Sequence, residues 1–169
     1  LNDRNYFSTK LDYVHPVGLN AKIEAGYHFY YQQMDYDFRI DELPESNLFE
    51  YSEFRNSGYA GISMNLKKFG FQASLRIENS HIAADSVTKP DYSCILPGAN
   101  IQYKFSASHN LKLTYNRRIN RPGIYDMNPY WRIGQSYDIT QGNPDLRPDY
   151  RDRMQLTYTW NFGSNYFSP

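Results

Sequence analysis

The chain has one cysteine, Cys94, so neither an internal disulfide framework nor a multi-cysteine metal site can be built from it. Acidic and basic residues balance at 18 each, without the basic excess of a nucleic-acid binder, and no nucleic-acid partner is expected. No apolar run approaches the roughly 18 to 20 residues of a membrane-spanning helix. The four histidines, His15, His28, His81 and His109, are scattered without metal-ligand spacing. The acidic run Asp35, Asp37, Asp41, Glu42 and Glu45 has Arg39 and Ile40 where a calcium loop needs a ligand and a glycine, so it reads as a solvated loop. His81 with Ser80 and Asp85 is the nearest thing to a hydrolytic set, and no motif supports it. Neither a cofactor, a metal nor an enzymatic activity is expected. The chain opens on Leu1 without initiator methionine, signal peptide or targeting tail, and is read as a piece of something longer.

What is abundant is aromatic, with 17 Tyr, 10 Phe and 2 Trp, and what is ordered is alternation. Residues 69–78 place Phe69, Phe71, Ala73, Leu75 and Ile77 on one strand face and Gly70, Gln72, Ser74, Arg76 and Glu78 on the other. Strands with the same period are predicted over 6–14, 19–31, 53–66, 97–105, 111–116 and 154–162. Pro97 demands a bulge or a strand end near it, because proline cannot donate to a ladder. Short connections follow the first, third, fifth and seventh strands, and long polar loops, near 38–52, 79–91 and 117–148, follow the others. That asymmetry fits an all-β, antiparallel up-and-down meander with ends facing different compartments, part of a large transmembrane outer-membrane β-barrel. Mean hydropathy is only −0.75, as expected if lipid meets every second residue.

The apolar side chains are also graded along the strands. Tyr13, Phe69, Phe71, Tyr103, Phe105, Trp160 and Phe162 gather at the short-turn ends, and Tyr27, Phe29, Tyr31 and Tyr115 lie toward the loop ends. Aliphatics fill the middle, a two-girdle distribution that places outer-membrane lipid against this face. A soluble sandwich with one wet face per sheet also alternates, but explains neither the long strands nor the loop asymmetry.

Residues 115–130 read YNRRINRPGIYDMNPY and residues 137–150 read YDITQGNPDLRPDY. They resemble the outer-membrane β-barrel family of TonB-dependent receptors of Bacteroidota. In that family an Arg-Arg-x-x-Arg-Pro strand exit, an Asn-Pro-aromatic step and a Gly-Asn-Pro-x-Leu-x-Pro strand entry recur. The segments LDYVHP at 11–16, KIEAGY at 22–27 and LRIE at 75–78 are similar in kind, and Ser74 stands where glycine is expected. The resemblance implies a segment of a 22-stranded barrel of a Gram-negative outer membrane, its lumen filled by an N-terminal plug. Residues 1–169 would then be a fragment of one barrel domain, about seven strands, with plug and remaining strands outside it. Such a receptor imports a bulky nutrient, energised through the plug by TonB. The alternative is a surface-exposed or soluble β-domain that binds a partner without transport.

Arg117, Arg118 and Arg121 have guanidinium forks suited to carboxylate or phosphate, and with Tyr130 and Trp131 they are the candidate ligand contacts of an extracellular loop. The competing, preferred reading is that these arginines pair with loop carboxylates such as Asp126, Asp138, Asp145 or Asp149 and fix the loop. Tyr125, Tyr130, Trp131 and Tyr137 suit stacking on a sugar or aromatic ligand, or packing within the loop. Arg76 and Glu78, two apart on one strand, are expected to belong to a charge ladder lining a polar lumen.

Overall fold

The computed structural model describes residues 2–38, 47–84, 87–88, 91–130, 132–133, 138–162 and 165–167. In chain order the elements are β1 (Asn2–Val17), β2 (Ala21–Phe38), β3 (Asn47–Leu66), β4 (Phe69–Ala84), β5 (Val87–Thr88), β6 (Tyr92–Lys104), β7 (His109–Asn120), α1 (Ile124–Met127), β8 (Arg132–Ile133), β9 (Ile139–Thr140), β10 (Asp149–Phe162) and β11 (Asn165–Phe167). The main sheet runs β1-β2-β3-β4-β6-β7-β10-β11, with β5 folded back on β4 and β8-β9 a separate ribbon. Every pairing is antiparallel, and the seven long strands follow one another in space as in sequence, as the alternation predicts.

One transverse row shows why the register is so well specified. Val17, Ala21, Met64, Phe71, Ile101, Leu113 and Leu156 are successive cross-strand partners, one from each long strand, all apolar. A one-residue slip of a strand would turn its apolar side chains away from that face and bring those of the polar face, such as Gln72, Asn100, Lys112 or Gln155, into the row, since successive side chains point to opposite faces. The turns are tight where they are short: Gly18 takes φ +64° between β1 and β2, and Lys67, at φ +29°, turns the chain from β3 into β4.

Burial is inverted relative to a soluble sheet. The apolar face is open, with Leu11 68%, Met154 73% and Leu156 65% exposed, whereas fully buried positions include Gln32, Glu53, Ser57, Glu78 and Ser80. The packed core, Met34, Phe49, Tyr51, Ile82 and Met127, lies at the long-loop end on the polar face.

The strands extend further toward that end than alternation suggests. Strand β3 has 20 residues, starting at Asn47 inside the expected 38–52 loop, and β4 runs to Ala84. A membrane crossing needs only about 9 to 11 residues. In the overhang the hydrophobic pattern changes sides, because there the polar face carries Met34, Phe49, Tyr51 and Ile82 under a folded loop. A pattern that switches face midway reads as a loop to any rule that assumes one dry face.

Pro97 is accommodated by a local end to pairing. Strand β6 pairs with β4 from Tyr92 through Tyr103, but with β7 only from Gly98 onward, opposite Asn116. The proline, which lacks an N–H, falls where the second ladder has stopped. Beyond that point β6 and β7 part.

Candidate functional site

The two motif segments of the longest loop are held together and laid on the polar face of the sheet. Asp126 accepts the backbone N–H of Gly123 at 2.9 Å, closing the single turn of α1. The side-chain carbonyls of Asn128 and Asn143 accept the N–H groups of Tyr130 and Asp145, each at 2.9 Å, forming the local turns for which asparagine is suited. Between the motifs, Gly142 N–H donates to Asn128 O at 2.8 Å and Asn143 N–H to Asp126 O at 2.7 Å. The loop thereby puts Met127 into the core, and Tyr130 stands edge-on to Phe49 with ring centroids 6.5 Å apart.

The three arginines of the strand exit go to three different places. Arg117 points to the apolar side of the sheet, where its guanidinium grips Asp152 of β10 through two bonds of 2.8 Å. Tyr115 donates to the same carboxylate at 2.9 Å, so this polar trio stands at the loop end of the apolar face. Arg121 turns inward. Its Nε donates to Tyr92 Oη at 2.9 Å and lies 4.0 Å from Glu53, and its terminal nitrogen pairs with Glu78. Arg118 is on the polar face, exposed, and has no ion-pair partner among the described residues. Arg117 and Arg121 thus take carboxylates of the wall, not the loop aspartates named above as partners. Trp131 and Tyr137 lie outside the described residues, as do Asp41, Glu42 and Glu45 of the acidic run.

Arg121 enters a network that runs across four strands, β2, β3, β4 and β6. Glu53, 6% exposed, takes Arg55 at 2.5 Å and accepts Tyr51 Oη at 3.3 Å. Glu78, 3% exposed, takes Arg76 Nε at 3.0 Å, the same-strand pair anticipated above, and Arg76 reaches on to Ser57 Oγ at 2.9 Å. Arg55 also lies 4.8 Å from the centre of the Tyr30 ring. Burial pushes the Arg121 guanidinium down to about 10, and the nearby Arg55 pushes in the same direction, while Glu53 opposes both. Tyr51, beyond the crossing portion of β3, has its hydroxyl pushed well up by burial first and by the charge of Glu53 second. Glu53 and Tyr92 were not foreseen as site residues, because each looks like any strand or loop residue until distant strands bring it beside Arg121.

Two recesses flank this network. One, of about 530 Å³, lies between loop and wall and is lined by Ile82, Tyr92, Pro122, Met127, Leu146 and Pro148 among others. The other, of about 500 Å³, opens where β6 and β7 part, and includes Ser74, Arg76, Gly98, Asn116 and Arg118. Ser74 and Gly98 are cross-strand partners, and a Cβ on Gly98 would stand 2.8 Å from Ser74 Oγ. Among the described residues no cluster of three or more His, Cys, Asp or Glu side chains forms a metal site.

Aromatic belts mark both ends of the apolar face. Phe69, Tyr103 and Phe105 pack in series, the first pair tilted and the second edge-on, with centroids 4.5 and 4.7 Å apart, and Trp160 and Phe162 continue the belt at 5.1 Å. Toward the loops, Phe7, Phe29 and Phe54 form the second belt, at 6.1 and 5.0 Å.

The comparisons with known proteins agree with this geometry. None of the curated proteins matches the chain. Among solved structures it resembles the "Copper transporter OprC", with a TM-score of 0.67 over 96% of this chain at 10% sequence identity, a likeness of fold alone. The chain spans 28% of that protein's length. The Outer membrane protein beta-barrel family model matches residues 1–169. An apolar face open along seven strands, girdled by aromatics and backed by a polar face with buried ion pairs, therefore has a plain identity: the chain belongs to the outer membrane protein β-barrel family and resides in the bacterial outer membrane.

Proposed function

We propose that residues 1–169 are one section of the wall of a TonB-dependent outer-membrane transporter that imports a bulky nutrient. The observation that carries the reading is the inverted burial. Leu75, Leu113 and Leu156 are open on one face, while Glu53 and Glu78 are held in ion pairs on the other, a distribution that suits lipid at the first face and a polar lumen at the second. The loop folded over the polar face supports a gated passage, because it narrows the extracellular mouth with a packed structure. The fold likeness to a protein titled a copper transporter supports transport as the class of activity and leaves the cargo open. On this reading TonB acts through a plug that is not among these residues.

The test is genetic and uses the full-length protein. Deleting its gene and deleting the TonB-type energy-coupling protein should produce the same growth defect on one class of nutrient. A defect in surface attachment that is indifferent to energy coupling would instead identify a binding module without transport.

A further inference from the structure

The polar face treats its charges differently in its two halves. Each of the first four strands carries an ion pair between residues two apart: Lys10–Asp12 at 2.8 Å, Lys22–Glu24, Arg55–Glu53 at 2.5 Å and Arg76–Glu78 at 3.0 Å. Strands β7 and β10 abandon that arrangement. Lys112, Arg118, Arg151 and Arg153 share the polar face there, and none has a carboxylate partner among the described residues. Asp149, two residues before Arg151 on the same face, makes no ion pair among them either. Arg118 and Arg151 are direct cross-strand partners, a placement of like charges that destabilises a sheet unless something neutralises it.

Beside this pair is the recess where β6 and β7 part. Arg118 is on its rim, Asn116 and Ser74 offer polar groups, the one carboxylate of the lining, Glu78, is held by Arg76 and Arg121, and the missing side chain of Gly98 keeps the floor open. Its size, about 500 Å³, is that of a small-molecule site. Arg55, Arg76, Arg117 and Arg121 also line the recess and are matched by carboxylates, so Arg118 is the guanidinium of the lining left to meet a ligand, and Arg151 stands opposite it on the next strand.

We propose that Arg118, on the rim of the Gly98 recess, and its cross-strand partner Arg151 together bind an oxyanion group, carboxylate or phosphate, of an anionic solute on the lumenal face. Two guanidinium forks on adjacent strands match the paired oxygens of such a group, and the bound anion relieves the repulsion between them. The inference rests on the transporter reading for what the lumen carries.

The experiment is calorimetric titration of the full-length protein in detergent at low salt, with citrate in one arm and inorganic tripolyphosphate in the other. Saturable binding is expected in at least one arm, and which arm responds separates carboxylate from phosphate. The double variant R118Q/R151Q, and separately G98V, should weaken it by about tenfold or more. The unliganded thermal midpoint of R118Q/R151Q should equal or exceed that of the wild type, because a like-charge pair has gone. Absence of saturable binding to the wild type, or undiminished binding to R118Q/R151Q, overturns the proposal. So does a fall in the unliganded midpoint, which assigns both arginines to carboxylates elsewhere in the same protein. Energised uptake in cells is scored separately: uptake without oxyanion binding removes this site and keeps the transporter, and binding without uptake does the reverse.

Discussion

Gly142 and Asn128, 14 residues apart in one loop, meet backbone to backbone: the glycine N–H donates to the asparagine carbonyl at 2.8 Å. A Cβ at position 142 would stand 2.6 Å from that oxygen and 2.6 Å from the carbonyl oxygen of Asp126. Both neighbours are backbone, so neither can swing aside. The glycine of the Gly-Asn-Pro motif is there for close approach.

Gly142→Ala should therefore undock the loop's second half from α1, at a cost of about 1 to 3 kcal/mol, the usual penalty of overpacking. Limited proteolysis of the full-length protein in membranes should show faster cleavage within 121–148 and none in the strands. Unchanged cleavage would mean that the contact is dispensable.

Arg121→Ala leaves Glu78, 3% exposed, with Arg76 as its one remaining cation and strips Glu53 of a neighbour. Removing one partner of a buried pair is costly, and a loss on the order of 3 kcal/mol is expected. Neutralising the orphan should recover part of it, so Arg121→Ala with Glu78→Gln should melt higher than Arg121→Ala alone. Equal midpoints for both would show that the pair is not coupled.

The Tyr51 hydroxyl titrates higher in the folded protein than in the unfolded chain, owing to burial and then to Glu53. Its contribution is complete below the unfolded phenol value of about 10 and is lost as pH rises through the folded one. Stability at the loop end should therefore fall on the alkaline side, from about pH 10 upward. Tyr51→Phe should flatten that limb while costing about 1 kcal/mol at neutral pH for the hydrogen bond to Glu53. A Tyr51→Phe variant with an unaltered alkaline limb would place the titration elsewhere.

Leu75 and Gln72 belong to one strand and opposite faces, so the same new charge should act differently at each. Leu75→Lys faces lipid and should cost about 2 to 4 kcal/mol near the midplane, whereas Gln72→Lys enters a polar lumen and should be tolerated. Refolding into vesicles followed by denaturant titration measures both. Cysteines at the same positions offer an independent check, with lipid-soluble reagent favouring position 75. Similar costs and similar labelling would contradict the two-sided wall.

Much of this protein is determined by its sequence alone, and the reason is locality. Side-chain direction in a strand depends only on odd or even position, so residues 69–78 by themselves declare two faces. Seven such stretches joined by short and long connections leave an up-and-down sheet as the economical arrangement, and the row from Val17 to Leu156 is its consequence. The loop motifs likewise signal their turns through Asn128 and Asn143, whose side chains bond residues two positions on.

Tertiary structure decided what that periodicity does not encode. Arg117, Arg118 and Arg121 are chemically alike and stand within five positions, yet one grips Asp152, one remains open and one is buried on Glu78. Parity separates Arg117 from Arg118, and it does not supply the partners, which come from strands 35 residues later and 43 residues earlier. The strand overhangs were hidden for a related reason: beyond the crossing region the folded loop makes the polar face the dry one around Met34, Phe49 and Ile82. Which face is dry there depends on where residues 121–148 come to rest, a long-range event with no local periodicity.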